Sequence, residues 1–163
     1  MILLLFLLFP ISLTALPILP VQQVEAESVT FEEKLIHLQG NVKLVHEFGI
    51  LCCERADLFL SDQNQQKTAK KIELHDTVHI TFTDGSELHA DNGNIDCSSL
   101  ETFFTAITPK KVVYITSLPS PIKTTSKTLH ATIAKGENGY ALQSIKGEGA
   151  VHIQHLQKED STS

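Results

Sequence analysis

Apolar and polar residues alternate with a period of two over residues 36–44, Ile36-His37-Leu38-Gln39-Gly40-Asn41-Val42-Lys43-Leu44, with the even positions apolar or Gly. That period predicts a half-buried strand with Ile36, Leu38, Val42 and Leu44 on one face. The pattern returns in register as Ile72-Glu73-Leu74-His75-Asp76-Thr77-Val78-His79-Ile80, with Asp76 in the place of Gly40. Phe48-Gly49 and Asp84-Gly85 follow as turns. Then Leu51-Cys52-Cys53-Glu54-Arg55-Ala56-Asp57-Leu58 is answered by Leu88-His89-Ala90-Asp91-Asn92-Gly93-Asn94-Ile95, one residue later in the second copy. An insertion at a turn is the tolerated place for that extra residue.

Weaker echoes extend the pattern. Leu129-His130-Ala131-Thr132 resembles the stretch at Leu88, and residues 145–153 resemble residues 36–44 with Gly149 on Gly40 and Val151 on Val42. A single hairpin of this kind cannot bury its apolar face, so the copies must stack or fold over one another. Between the two strong copies, residues 61–71 are rich in Gln, Asn, Asp and Lys and read as an exposed loop. Residues 98–111 are ambiguous, with Phe103, Phe104 and Ile107 in a further strand or a bulged crossover. Residues 112–117 read as a strand, and Leu118-Pro119-Ser120-Pro121 must break pairing because Pro has no backbone donor. Residues 122–134, 140–145 and 147–153 resume the β pattern, with a turn at Glu137-Asn138-Gly139. Residues 25–34 form a leading edge strand or an unstructured lead-in.

The inward set is Ile36, Leu38, Val42, Leu44, Leu51, Leu58, Leu74, Val78, Ile80, Phe82, Leu88, Ile95, Leu129, Ile133, Val151 and Ile153. Few bulky aromatics accompany it. It makes either a filled core or an interior left partly open, and the pattern alone does not choose between them.

The motif Leu38-Gln39-Gly40-Asn41-Val42-Lys43-Leu44, followed after a turn by Leu51-Cys52-Cys53-Glu54-Arg55-Ala56-Asp57, resembles the OstA-like lipopolysaccharide-transport family, whose members read "GNV" and then a small-residue-acidic segment. The resemblance spans residues 28–157, most evenly as far as Asp96. It implies an all-β fold, a repetitive antiparallel open jelly roll made of a folded-over sheet, in a domain covering residues 27–157. It also implies a non-catalytic periplasmic protein that holds the lipid A acyl chains of lipopolysaccharide in an apolar groove. On that implication the lipid-binding residues are Leu38, Val42, Leu44, Leu51, Val78, Ile80, Phe82, Leu88, Ile95 and Val151. The partners implied are lipopolysaccharide, an inner-membrane LptC-like component, an outer-membrane LptD-like component and further copies of the chain joined end to end through terminal strands, with no cofactor. Two alternatives stand beside it: a membrane-anchored LptC-like component, and a structural envelope β protein with a closed core.

Residues 1–26 fit a signal peptide or anchor. An apolar run fills residues 2–9, Pro10, Pro17 and Pro20 interrupt the segment, and Leu13-Thr14-Ala15 or Val24-Glu25-Ala26 offers a small-residue cleavage site. The run is short for a span of about 20 apolar residues, and the customary basic flank is missing. Residues 158–163 form a polar tail.

Charge and chemistry narrow the picture further. The formal net charge of −6 is spread along the chain with no basic stripe, which disfavours nucleic acid. Three cysteines, Cys52, Cys53 and Cys97, are an odd number and lack CxxC spacing. Cys53 and Cys97 fit small buried hydrophobes, with a Cys53–Cys97 bridge or an intermolecular one as the alternatives. Of the eight histidines, His75 and His79 lie four apart, about 13 Å along a strand and too far for one ion. His37, His75, His79, His89, His130 and His152 all take the outward parity of solvated residues, and no metal site is expected. Asp57, Asp84, Asp91 and Asp96 sit in or beside turns, where Asp serves local backbone donors. No His-x-His pair, Gly-x-Ser-x-Gly, P-loop or dinucleotide fingerprint is present, so no enzyme is expected.

Overall fold

The computed structural model describes residues 21–63, 66–117 and 119–157. Most of the expected leader and the polar tail lie outside the described residues. In chain order the strands are β1 (Val21–Glu25), β2 (Ser28–Glu32), β3 (Leu35–His46), β4 (Gly49–Gln63), β5 (Gln66–Phe82), β6 (Glu87–Asp96), β7 (Glu101–Thr105), β8 (Val112–Ile115), β9 (Ile122–Ser126), β10 (Thr128–Gly136), β11 (Gly139–Glu148) and β12 (His152–His155). All pair antiparallel in one unclosed sheet, so the protein is all-β and its topology is compatible with a jelly-roll-like fold.

Four long strands, β3 to β6, form the middle of the sheet, and each is interrupted at the same level. In β3 the residues Gly40 and Asn41 have positive φ (81° and 45°), and in β5 Asp76 and Thr77 do too (63° and 58°). Each pair is opposed by one residue on a neighbouring strand, Glu54 for the first and Asp91 for the second, which is the geometry of a β-bulge. The repeat visible in the sequence is therefore a repeat of the bulge as well as of the apolar pattern. Gly149 and Ala150, the third echo, have the same left-handed pair of conformations (79° and 51°), here as the turn between β11 and β12.

These positions line up as a crease across the sheet, and short strands pair on either side of it. β1 pairs with residues 43–46 of β3 and β2 with residues 35–39. Likewise β8 pairs with residues 87–89 of β6 and β7 with residues 92–95. Beyond them β9 and β12 continue the first leaf, and β10 and β11 the second. Backbone bonds tie the crossings together: Glu27 donates to Gly40 (3.0 Å), Ala106 to Lys127 (3.1 Å), and Lys127 to Glu148 (2.9 Å) and Gly149 (3.0 Å). Asn41 Nδ2 also donates to the Glu27 carboxylate.

Side chains from both leaves belong to one buried core, so the sheet is folded over on its crease. The bulges also explain an oddity of the pattern. Leu51 and Cys53 face inward on odd positions and Ala56 and Leu58 on even ones, because the period of two slips by one residue as β4 passes the crease.

Several boundaries differ from the sequence expectation. Val21 to Glu25, grouped with the leader by composition, forms β1 against β3, so cleavage after Ala26 would remove a paired strand. Residues 61–63 and 66–71 continue the β4–β5 ladder instead of forming a loop. Polar side chains are compatible with a ladder there because its backbone bonds do not depend on burial. Residues 122–134 split into β9 and β10 at the Lys127 crossing, and residues 147–153 are divided between β11 and β12.

Candidate functional site

Residues paired across a ladder share a face, so the registers trace the inner wall of each leaf. In the first leaf one row runs Val24, Leu44, Leu51, Ile80, Leu88, Tyr114, Thr124, Ile153 from edge to edge. In the second, two rows run Val29, Leu38, Ala56, Leu74, Gly93, Phe104, Leu129, Gly147 and Phe31, Ile36, Leu58, Ile72, Ile95, Thr102, Ala131. The middles of these rows are buried and the ends on β1, β2 and β12 are open, whereas the last row closes on buried Ala131. Val24 is 42% exposed, Phe31 66% and Ile153 70%. The apolar wall thus continues to β1, β2 and β12 and stops there without a cover among the described residues.

Nine of the ten residues expected to line a groove, Leu38, Val42, Leu44, Leu51, Val78, Ile80, Phe82, Leu88 and Ile95, lie together in this core. Val151 does not. It follows the Gly149–Ala150 turn, past the end of β11, and is 44% exposed, so its expected place on the inner wall is corrected. Ile153 keeps the inward face opposite Thr124, but among the described residues its strand has a partner, β9, on one side only, and it stays 70% exposed.

The interior is more heavily plugged than the low aromatic content implied. Phe48, Phe82, Phe104 and Tyr114 are all buried, with Phe82 packed at 6.4 Å from Phe48 and edge-on at 6.3 Å to Tyr114. Alternation along the chain did not put Phe48, read as a turn residue, or Phe104 and Tyr114 in the inward set. A signal did exist: Phe104 falls opposite Gly93, whose missing side chain makes room for a ring. Tyr114 donates to Ser86 Oγ at 3.2 Å, Ser86 donates to Asp84 at 2.5 Å, and burial pushes the phenol's pKa up.

At the end away from the crease, the β10–β11 turn reaches across and meets the β5–β6 turn. The Tyr140 N–H donates to Thr83 Oγ1 (2.7 Å), the Asp84 N–H donates to the Tyr140 carbonyl (3.2 Å), and the Tyr140 hydroxyl donates to Glu47 (3.3 Å). This contact latches the two leaves together. With the latch closed, the nine wall residues are at most 2% exposed.

Beyond the Tyr114–Ser86–Asp84 chain, polar contacts gather at the crease, at the turns and on the outer face. Asp91 accepts from the Ile107 N–H (2.6 Å) and Lys110 (3.3 Å); the backbone donor above all holds its carboxyl below the usual range. Asp96 caps the β6–β7 turn through Ser98 and Ser99, and those donors bring its pKa to about 2. On the outer face His37 Nδ1 lies 2.6 Å from Asp57, which raises the histidine's pKa, and His75 Nε2 lies 3.3 Å from the other Asp57 oxygen. Spacing within one strand missed how the sheet gathers histidines: His79 and His89 face each other across β5 and β6. Each lies five residues from Asp84 in the turn between the strands, and that spacing was readable.

Cys52, Cys53 and Cys97 are free thiols, so the alternative of a Cys53–Cys97 bridge is not realised. Burial pushes Cys53 and Cys97 up to about 11. No helix among the described residues is long and apolar enough to cross a membrane. Compared with known proteins, the chain matches no family model and no curated protein.

Proposed function

We propose that the protein is a non-catalytic lipopolysaccharide carrier of the OstA-like kind, most like the periplasmic bridge protein LptA, and that it shelters lipid A acyl chains between its two leaves. The observation that supports this reading is the inner wall, apolar along both leaves and, among the described residues, left uncovered at β1, β2 and β12. A core built only for stability would be expected to close at its ends, because exposed Phe31 and Ile153 gain nothing there. Each acyl methylene moved from water to such a wall gains about 0.8 kcal/mol.

The same ends supply a means of extension. Among the described residues, edge strands β1 and β2 at one end and β11 and β12 at the other have one side without a partner strand, beside exposed apolar side chains. Pairing one end with the other joins unlike surfaces, does not close, and generates a filament whose interiors run on from copy to copy. LptC-like and LptD-like components would engage the terminal edges at the inner and outer membranes.

A second reading has its own support. Burial of the wall residues and the Tyr140 latch favour a structural envelope protein with a closed core. Gel filtration of the protein with fluorescently labelled lipopolysaccharide separates the two. The carrier co-elutes with label, and Leu88→Arg, placing a charge on the wall, loses it; a closed core leaves the label in the lipid fraction for both proteins. The anchored LptC-like alternative turns on residues 1–20, outside the described residues.

A further inference from the structure

The outer face of the first leaf carries a constellation that the interior does not use. His79 and His89 are directly paired across β5 and β6, and Glu87 stands two residues before His89, on the same side of its strand. One ligand atom from each lies within 4.8 Å of the other two. Glu87 Oε2 is 3.7 Å from His79 Nε2 and 3.6 Å from His89 Nε2, both beyond hydrogen-bond distance. His79 Nε2 is shut off from solvent with no hydrogen-bond partner, a cost that a merely solvated surface histidine does not carry.

A second cluster offers the contrast. Asp57, Glu73 and His75 on the other leaf are as closely gathered. There, however, His37 Nδ1 and His75 Nε2 both reach Asp57, at 2.6 and 3.3 Å, and the network closes on itself.

We propose that His79, His89 and Glu87 form a binding site for a divalent transition cation of the zinc class. Zinc takes imidazole nitrogen and carboxylate oxygen at about 2.0–2.2 Å, which puts neighbouring ligand atoms roughly 3.3 Å apart in a tetrahedron. The two Glu87–histidine separations need to contract by only a few tenths of an ångström, and the histidine ligand atoms start within 4.8 Å of each other. The two rings, stacked at 4.2 Å and 12°, must rotate about the soft Cβ–Cγ torsion to aim both nitrogens at one point. Two imidazoles with a single carboxylate disfavour Ca²⁺ and Mg²⁺, which prefer oxygen sets. The neighbouring ammonium groups are engaged elsewhere, Lys110 with Asp91 (3.3 Å) and Lys111 with the Ala150 carbonyl (3.1 Å). Three ligands leave a fourth position open. One strand away, Cys52 pairs with His79 from β4, and its place between buried Leu51 and Cys53 puts its thiol on this outer face.

The test is titration of the full chain with Zn²⁺ against a chromophoric chelator, with thermal unfolding recorded with and without the ion. The expected result is one tight equivalent and a higher Tm in Zn²⁺. His89→Asn and Glu87→Gln each weaken binding roughly tenfold or more, while their metal-free Tm stays at the wild-type value. His75→Asn leaves zinc affinity unchanged. Absence of binding in the wild type, equal affinity in the wild type, His89→Asn and Glu87→Gln, or loss on His75→Asn would overturn the site.

Discussion

Gly93 shows how much a single missing side chain contributes. A Cβ there would lie 2.5 Å from the Phe104 ring, and Phe104 is fully buried. Gly93→Val should therefore destabilise by about 1–3 kcal/mol through overpacking, seen as a lower denaturation midpoint. Leu74→Ala, removing a fully buried side chain from the same row, should cost about 2–5 kcal/mol. Asp96 gives the acid response. Its pKa is lowered from 3.8 to about 2, so its contribution is fully present above pH 3.8 and is lost as pH falls toward 2. Asp96→Asn should flatten the acid limb of the stability profile in that window. Alkylation should separate the thiols, with half-buried Cys52 modified in the folded protein while Cys53 and Cys97 react only on unfolding.

Among the elements, the crease has the greatest consequence. It converts four long strands into two leaves, and its positions are partly legible in the sequence, where Gly40, Asp76 and Gly149 align at the residues that take left-handed conformations. Legible too were β3, the apolar faces of β5 and β6, and the inward burial of nine of the ten residues expected to line a groove, because a period of two in register with a repeat leaves little freedom. Hidden from the sequence were the events that depend on distant pairing. The splitting of residues 122–134 at Lys127 follows from bonds to Glu148 and Gly149, and the exposure of Val151 follows from where the sheet ends. Tyr140, an ordinary strand residue by pattern, becomes a latch only when its turn meets Thr83 and Asp84. If acyl chains enter by parting the leaves, the Thr83→Ala/Tyr140→Ala pair should speed hydrogen exchange at the β10–β11 and β5–β6 turns and raise the rate of lipid uptake. Unchanged exchange at both turns would show that the latch does not hold them.

For the whole molecule, the exposed apolar residues are concentrated where the sheet runs out. Val24, Val29 and Phe31 stand at one end, and Ile145, Val151 and Ile153 at the other. End-to-end pairing should make the protein's mass in light scattering rise with concentration, and Phe31→Glu or Ile153→Glu should hold it at the monomer without lowering its Tm. The central claim concerns the wall between the leaves, and it is tested most directly by site-specific photocrosslinking to lipopolysaccharide. A photoreactive residue in place of Leu88 or Ile80 should yield a lipopolysaccharide adduct, and one in place of Val113, on the outer face beside His89, should not. Adducts from Val113 but from neither wall position would contradict the account.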